Sequence, residues 1–165
     1  MRFIGFFMLL LLFTNQLDAQ DKKLSILPNI GASTVFLDGG WGIHLGVNPS
    51  FEINKRFSAE GQVSYLHTRI SDAFLTGETG KVNAFNALVG ARFYLNSENK
   101  PTRFYVNLLT GLNYTNEINN PDDSASINGF TWGWSGGVFV DINRLVVGLS
   151  YDTPQNAIIK LGYSF

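Results

Sequence analysis

The chain has 165 residues, 15% of them charged, 14% aromatic and none of them cysteine, and its formal net charge is −1. This charge gives no indication of nucleic-acid binding, and the absence of cysteine excludes disulfides and a lipoprotein attachment site. Mean hydropathy is close to zero, at +0.05, and no second long apolar run follows residue 13, which excludes a bundle of membrane-spanning helices.

The first 19 residues have the organisation of a secretory signal peptide. A short basic start precedes residues 3–13, which are almost entirely apolar, and residues 14–19 are polar and end in the small Ala19. The apolar run is too short for a membrane-spanning helix, which needs about 20 residues. We predict cleavage after Ala19 and one mature domain over residues 20–165.

In the mature chain, apolar residues recur at every second position, which is typical of strands whose two faces meet different surroundings. The clearest case is residues 41–54, where Trp41, Ile43 and Leu45 alternate with small or polar residues. No segment has helical periodicity, and turn residues separate the alternating segments. We therefore predict eight strands joined as consecutive hairpins, at residues 24–37, 41–54, 57–65, 85–95, 104–114, 130–142, 145–151 and 157–165.

The first strand contains Pro28, which cannot donate a hydrogen bond to a neighbouring strand. A β-bulge, or a strand that begins near Asn29, would relieve this conflict. Short turns are predicted at residues 54–56 and 143–144, and long polar loops at Ser71–Gly80 and Glu117–Gly129.

The last predicted strand has apolar or aromatic residues at every second position and ends on an aromatic one, in the series Ala157, Ile159, Leu161, Tyr163 and Phe165. This ending resembles the C-terminal strand of bacterial outer-membrane β-barrels. The resemblance implies that Leu161, Tyr163 and Phe165 are recognised by the barrel-assembly machinery.

Together with the signal peptide and the hairpin count, this strand makes the mature chain similar to the small eight-stranded outer-membrane barrels of the OmpA/OmpX type. The resemblance implies an all-β fold, an eight-stranded antiparallel up-and-down transmembrane β-barrel, in the outer membrane of a Gram-negative bacterium. OmpA-like proteins often carry a periplasmic peptidoglycan-binding domain after the barrel, and since this chain ends at the barrel, we do not expect that role. A soluble lipocalin-like barrel is the alternative fold, but it would need an apolar interior and a polar exterior.

An even number of strands places both termini on one side of the membrane, which we expect to be the periplasm, so that the long loops face outward. The outward-facing aromatic residues then fall near both ends of the strands, as expected for girdles at the two membrane interfaces and not for a soluble core. The predicted outer girdle is Trp41, Tyr65, Tyr114, Trp132 and Tyr151, and the periplasmic girdle is Phe51, Phe57, Phe93, Phe104, Tyr163 and Phe165.

The predicted inward face is small and polar, but it includes three acids and three bases in the periplasmic half. Glu60 comes close to Arg92 across one hairpin and to Glu52 across another. Since unpaired charges in a narrow interior cost several kcal/mol, we predict a salt-bridge network that blocks the lumen, and a proton or ion path is the alternative. The predicted cluster is Glu52, Glu60, Arg92, Arg103, Asp141 and Lys160.

Two histidines receive non-catalytic interpretations. His44 faces inward with no evident partner and is read as a hydrogen-bonded filler, not as a metal ligand or catalytic group. His67 and Arg69 face outward above the expected lipid band, where they would meet lipopolysaccharide phosphates or solvent.

The function predicted from these features is a structural or surface-interaction barrel without a large pore, which contacts outer-membrane lipid and lipopolysaccharide. No catalytic constellation, metal site or cofactor site is identified. The alternatives are a small-molecule pore or a subunit of an outer-membrane secretion or transport complex, and, with less support, a lipid-modifying enzyme, which would need a Ser, a His and an acid near an interface. The sequence identifies no partner for the outer loops.

Overall fold

The computed structural model describes residues 24–35, 40–71, 79–96, 101–118, 128–153 and 156–165, so the predicted signal peptide lies outside the described residues. The described residues form eight antiparallel strands, and β1 also pairs with β8, which closes the sheet into a barrel. The predicted up-and-down barrel is therefore confirmed. The strands are β1 (Leu24–Val35), β2 (Gly40–Asn54), β3 (Phe57–Ser71), β4 (Thr79–Tyr94), β5 (Thr102–Ile118), β6 (Asn128–Ile142), β7 (Leu145–Asp152) and β8 (Asn156–Tyr163).

The two faces of each strand have opposite exposures. On β2, Trp41 and Leu45 are 61% and 50% exposed, whereas His44 on the other face is fully buried. On β4, Val89 is 68% exposed and its neighbour Leu88 is buried. A surface of large apolar side chains around an interior rich in polar side chains is the reverse of a soluble barrel, and it suits a wall that faces lipid. No helix in the described parts of the chain is long and apolar enough to cross a membrane.

The start of β1 and the end of β8 lie at one end of the barrel, here called the terminal end, and the opposite end is called the far end. Two tight turns close hairpins at the terminal end. In the first, the side-chain Oδ1 of Asn54 accepts hydrogen bonds from the backbone N–H groups of Arg56 and Phe57, at 2.9 and 3.0 Å. In the second, Asn143 and Arg144 have φ values of 51° and 79°, as a two-residue turn between twisted strands requires.

Strands β3 to β6 extend further toward the far end than predicted. Parts of the predicted loops Ser71–Gly80 and Glu117–Gly129 belong to strands, since β4 begins at Thr79 and β5 continues to Ile118. Polar residues continue these ladders because backbone pairing needs no apolar side chain. By contrast, β7 and β8 have only eight residues each, so the wall is lower there.

The expectation for Pro28 is wrong in detail. β1 begins at Leu24, and its register with β2 is continuous through Pro28, with no bulge. The missing N–H of Pro28 instead interrupts the pairing of β1 with β8. That pairing runs from Asn29 toward the far end, and on the terminal side of Pro28, Ile26 and Phe165 exchange two backbone hydrogen bonds. The barrel therefore accommodates proline at the seam between its first and last strands.

Replacing Arg144 with Gly is expected to stabilise the barrel. A left-handed backbone costs an L-residue about 1–2 kcal/mol, and glycine avoids most of this cost. Urea unfolding of the barrel in lipid vesicles measures the change. Arg144→Ala is the control, because it removes the same charge but keeps the Cβ. Equal stability of the Gly and Ala variants would contradict this explanation.

Candidate functional site: the charged lumen

A buried ion pair joins β4 to β3 inside the barrel. Nε of Arg92 donates a 2.8 Å hydrogen bond to Oε2 of Glu60, and both side chains are at most 3% exposed. The other carboxylate oxygen of Glu60 accepts hydrogen bonds from the amides of Asn48 and Asn107, at 2.7 and 3.3 Å. Arg92 and Glu60 are diagonal neighbours in the β3–β4 register, as predicted. These contacts offset the cost of removing both charges from water.

Aromatic rings surround this ion pair. The guanidinium of Arg92 lies 4.3 Å from the ring centroid of Tyr105 and donates from Nη1 to the hydroxyl of Tyr94 at 3.2 Å. The guanidinium of Arg103 lies over the ring of Tyr94, 3.5 Å from its centroid. Both arginines thus make cation–π contacts inside the barrel.

The same rings pack against one another inside the barrel. Tyr105 stacks on Phe139 at a centroid distance of 4.9 Å and an interplanar angle of 11°. Phe139 lies over Gly148 on β7, where an added Cβ would collide with the ring. The buried cluster formed in this way consists of Leu27, Tyr94, Tyr105, Phe139 and Val146.

A second ion pair lies on β7 and β8. Nζ of Lys160 is 2.8 Å from Oδ2 of Asp152, and neither side chain is more than 5% exposed. Ser135 donates to Oδ1 of Asp152 at 2.6 Å, and the amide of Gln62 donates to Oδ2 at 3.1 Å. Lys160 also donates to Oε1 of Gln62 at 3.3 Å, which connects β8 to β3 across the lumen.

Sequence reasoning missed Asp152, although the alternation contained the signal. Gly148, Ser150 and Asp152 follow one another at every second position of β7, on its inward face, but the predicted strand ends at Tyr151, one residue short of the acid. Lys160 was placed in a single network with the charges near the terminal end. The structure instead pairs it with Asp152.

Amide side chains connect the two ion pairs. Nδ2 of Asn48 donates to Glu60 at 2.7 Å and lies 3.4 Å from Oε1 of Gln62. Asn29 donates to Oδ1 of Asn48 at 2.9 Å. A continuous polar chain therefore runs from Arg92 to Lys160, and most of its links are side chains that carry no charge.

The remaining predicted charges are half-buried and lie nearer the terminal end. Arg103 and Asp141 are directly opposite each other on β5 and β6. Oδ1 of Asp141 accepts a 3.0 Å hydrogen bond from the backbone N–H of Arg144 in the turn. Glu52 is opposite Ser58, one diagonal step from Glu60.

His44 is fully buried, but it is not the hydrogen-bonded filler that was expected. Neither ring nitrogen has a hydrogen-bond partner among the described residues, and Nε2 is 3.8 Å from Oδ2 of Asp152. Within the described ranges, no group of three or more histidine and acidic side chains is arranged to hold a metal ion.

The residues of both predicted girdles face outward. At the far end, Trp41, Trp132 and Tyr151 are 61%, 72% and 43% exposed. At the terminal end, Phe57 packs against Phe93 on the next strand at a centroid distance of 4.8 Å. The remaining members also lie at outward positions, on strands except for Phe165, which follows the end of β8: Tyr65, Tyr114, Phe51, Phe104, Tyr163 and Phe165.

The C-terminal strand completes the wall of the barrel. Leu161 and Tyr163 are exposed on the outer surface, and the ring of Tyr163 contacts that of Phe165 at 5.0 Å. The backbone N–H of Phe165 donates to the carbonyl of Ile26 at 3.0 Å, so the last residue still pairs with β1.

Solved structures with this fold include small bacterial outer-membrane barrels. Ail, the attachment invasion locus protein of Yersinia pestis, superposes with a TM-score of 0.53 at 15% identity, covering 88% of this chain and all of Ail. The structure of Ail in complex with the heparin analogue sucrose octasulfate superposes with a TM-score of 0.51 at 16% identity, covering 86% of this chain and 96% of Ail. The N-terminal β-barrel domain of Pseudomonas aeruginosa OprF gives 0.49 at 15% identity, covering 88% and 100%. At these identities the likeness shows the fold alone.

A search of curated protein sequences finds no match to this chain. The family model for the outer membrane protein beta-barrel domain, however, matches residues 4–165, which is nearly the whole chain. The closed eight-stranded barrel, its apolar outer wall and its charged interior agree with this match. The chain belongs to the outer membrane protein β-barrel domain family, and the protein is a barrel of the Gram-negative outer membrane.

Proposed function

We propose that this protein is a closed barrel with a structural or surface-interaction role, whose lumen is plugged by its own side chains. The observation that carries the proposal is the Arg92–Glu60 ion pair, buried against the stacked rings of Tyr105 and Phe139. An eight-stranded barrel is just wide enough for side chains to fill it, so we expect these side chains to leave no channel along the described part of the lumen.

The space between the two ion pairs supports the same conclusion. A cavity of about 10 Å³ lies there, lined by residues that include Asn48, Glu60, Tyr105 and Lys160. This volume is about that needed for one water molecule and is too small for a solute or a hydrated ion. The proposal of a plugged barrel therefore has more support than that of a small-molecule pore.

A catalytic role has less support. The grouping closest to a catalytic triad is Ser135, Asp152 and His44, but the acid lies between the other two: Ser135 donates to Asp152, and His44 is on the opposite carboxylate oxygen. In a working triad the histidine lies between the nucleophile and the acid. All three side chains are also fully buried in the lumen, away from any lipid substrate.

We further propose an orientation and two kinds of partner. The terminal end faces the periplasm, and the longer hairpins β3–β4 and β5–β6 project outward, as in single-chain outer-membrane barrels. The exposed row of Leu161, Tyr163 and Phe165 serves as the assembly signal, and the signal peptide is removed after Ala19. The outer girdle contacts lipopolysaccharide. Membership of a larger secretion or transport complex is the alternative role.

Arg92→Ala is expected to destabilise the barrel by about 3–5 kcal/mol, because it leaves the buried Glu60 without its cation. It is also expected to raise single-channel conductance in planar bilayers above the near-zero value of the wild type, because a side chain that fills the lumen is removed. Urea unfolding in vesicles and bilayer recordings measure the two effects.

Arg56→Ala is the matched control, since Arg56 is an exposed arginine in the turn at the terminal end, and it should change neither quantity. The double variant Arg92→Met with Glu60→Gln should recover part of the lost stability, because no unpaired charge remains. Unchanged stability of Arg92→Ala, or a wild-type barrel that conducts steadily, would refute the plug.

The second ion pair gives an independent prediction. Asp152→Asn and Lys160→Met are each expected to cost about 3–5 kcal/mol, and the double variant is expected to cost less than the sum of the two single variants. Unfolding free energies of the four proteins provide the double-mutant cycle. Asp141→Asn serves as the control for a half-buried carboxylate near the terminal end. A cycle that is additive within about 0.3 kcal/mol would show that Asp152 and Lys160 are not coupled.

A further inference from the structure

Three buried side chains from distant parts of the chain meet at the second ion pair. Nζ of Lys160 on β8 donates a 3.3 Å hydrogen bond to Oε1 of Gln62 on β3. Oδ2 of Asp152 on β7 contacts both of them, Nζ of Lys160 at 2.8 Å and Nε2 of Gln62 at 3.1 Å. An amine, a carboxamide and a carboxyl group therefore touch one another pairwise, and each of the three residues is at most 4% exposed.

An amine held against a carboxamide can form a covalent bond. A neutral amine is a nucleophile, and the carbonyl carbon of a carboxamide is an electrophile. Attack of Nζ of Lys160 on Cδ of Gln62 would join the two side chains through an amide and release ammonia. Groups held in contact react with an effective concentration that reaches about 10⁵ M or more, so a reaction that is very slow in free solution becomes accessible.

Asp152 is placed to move the protons of this reaction. The ammonium of Lys160 must lose a proton before it attacks, and that proton can pass to Oδ2 along the 2.8 Å hydrogen bond. The transfer converts a buried ion pair into a neutral amine and a neutral acid, which removes the cost of keeping two charges away from water. Because Oδ2 also contacts Nε2 of Gln62, the acid can protonate the leaving nitrogen.

The surroundings of Gln62 favour attack on its carbonyl carbon. Nδ2 of Asn48 lies 3.4 Å from Oε1, the oxygen on which negative charge develops when the amine adds. Oγ of Ser64 accepts a 3.1 Å hydrogen bond from Nε2 and so fixes the orientation of the carboxamide. The reacting groups are buried, which protects the new amide from hydrolysis.

We propose that Lys160 and Gln62 form an intramolecular isopeptide bond, with Asp152 as the general acid and base. The Nζ–Cδ bond forms and the Cδ–Nε2 bond breaks. Asp152 takes one proton from Nζ, passes it to Nε2, and takes a second from Nζ as ammonia leaves. The acid ends neutral, so no charge is left unpaired. Since the bond joins residues 98 positions apart across the lumen, it forms only after β8 has closed the barrel.

Peptide mass spectrometry of the barrel purified from outer membranes tests for the bond. Trypsin cuts on both sides of residues 57–69, which contain Gln62, and before residues 145–165, which contain Lys160. We expect a branched peptide that joins these two segments and is lighter than their sum by one ammonia molecule. Cleavage after Lys160 should be lost, because its side chain becomes an uncharged amide.

Matched variants identify the role of each group. Lys160→Met and Gln62→Met each remove one reacting group and should abolish the branched peptide. Lys81→Met, at an exposed lysine on β4, should leave it unchanged. Asp152→Asn keeps both reacting groups, and it should lower the yield by at least about tenfold, since general acid–base catalysis contributes about 10²–10⁴-fold. Circular dichroism in detergent micelles confirms that each variant is folded.

A wild-type barrel that trypsin cuts fully after Lys160, with only unbranched peptides released, would overturn the proposal, and this measurement does not depend on any variant folding. Residues 145–165 found lighter by one water molecule would also overturn it, because Lys160 would then be bonded to Asp152. An undiminished yield in Asp152→Asn would refute the role of the acid. None of these outcomes bears on the plug, since a sealed lumen does not require the bond.

Discussion

A barrel of eight strands has an interior so narrow that each inward charge must find its partner within one side-chain length. Arg92 and Glu60 meet this condition with a 2.8 Å contact between diagonal neighbours, and Lys160 and Asp152 do so between adjacent strands. The amide of Asn48 donates to the remaining oxygen of Glu60, and the hydroxyl of Ser135 donates to that of Asp152. Because one missing partner would leave a charge buried without compensation, the interior positions depend on one another.

The outer wall must be apolar because it faces lipid, whereas the interior must pair its charges, so substitutions on the two faces should have different effects. Large apolar side chains such as Val89 and Leu108 are more than 60% exposed, so they contribute stability only where lipid surrounds them. The interior gains cohesion from hydrogen bonds and stacked rings, and not from an apolar core of the usual size. A substitution inside should thus affect the stability of the barrel, whereas one outside should affect contact with the membrane.

The sequence predicts the barrel well because alternation between lipid and lumen is a strong constraint on every strand. It also predicts the Arg92–Glu60 contact, since a known hairpin fixes which residues are diagonal neighbours. Prediction from the sequence fails where apolar residues no longer alternate with polar ones. The polar far ends of β3 to β6 are paired through their backbones alone, so their lengths were not predicted. Asp152 was missed because it lies one residue beyond Tyr151, the last outward aromatic residue of its strand. The Lys160–Gln62 contact joins residues 98 positions apart, and no local pattern contains it.

The short β7–β8 hairpin has a consequence for how the barrel closes. β8 meets β1 through six residue pairs, and two backbone hydrogen bonds between Ile26 and Phe165 continue the contact, so this seam has less backbone pairing than the one between β4 and β5. A slip of one residue would turn every side chain of β8 to the opposite face and carry Lys160 into the acyl chains. Placing the ammonium group of Lys160 in the hydrocarbon layer would cost several kcal/mol. The ion pair of Lys160 and Asp152 therefore favours the native register of β8 over one shifted by a single residue.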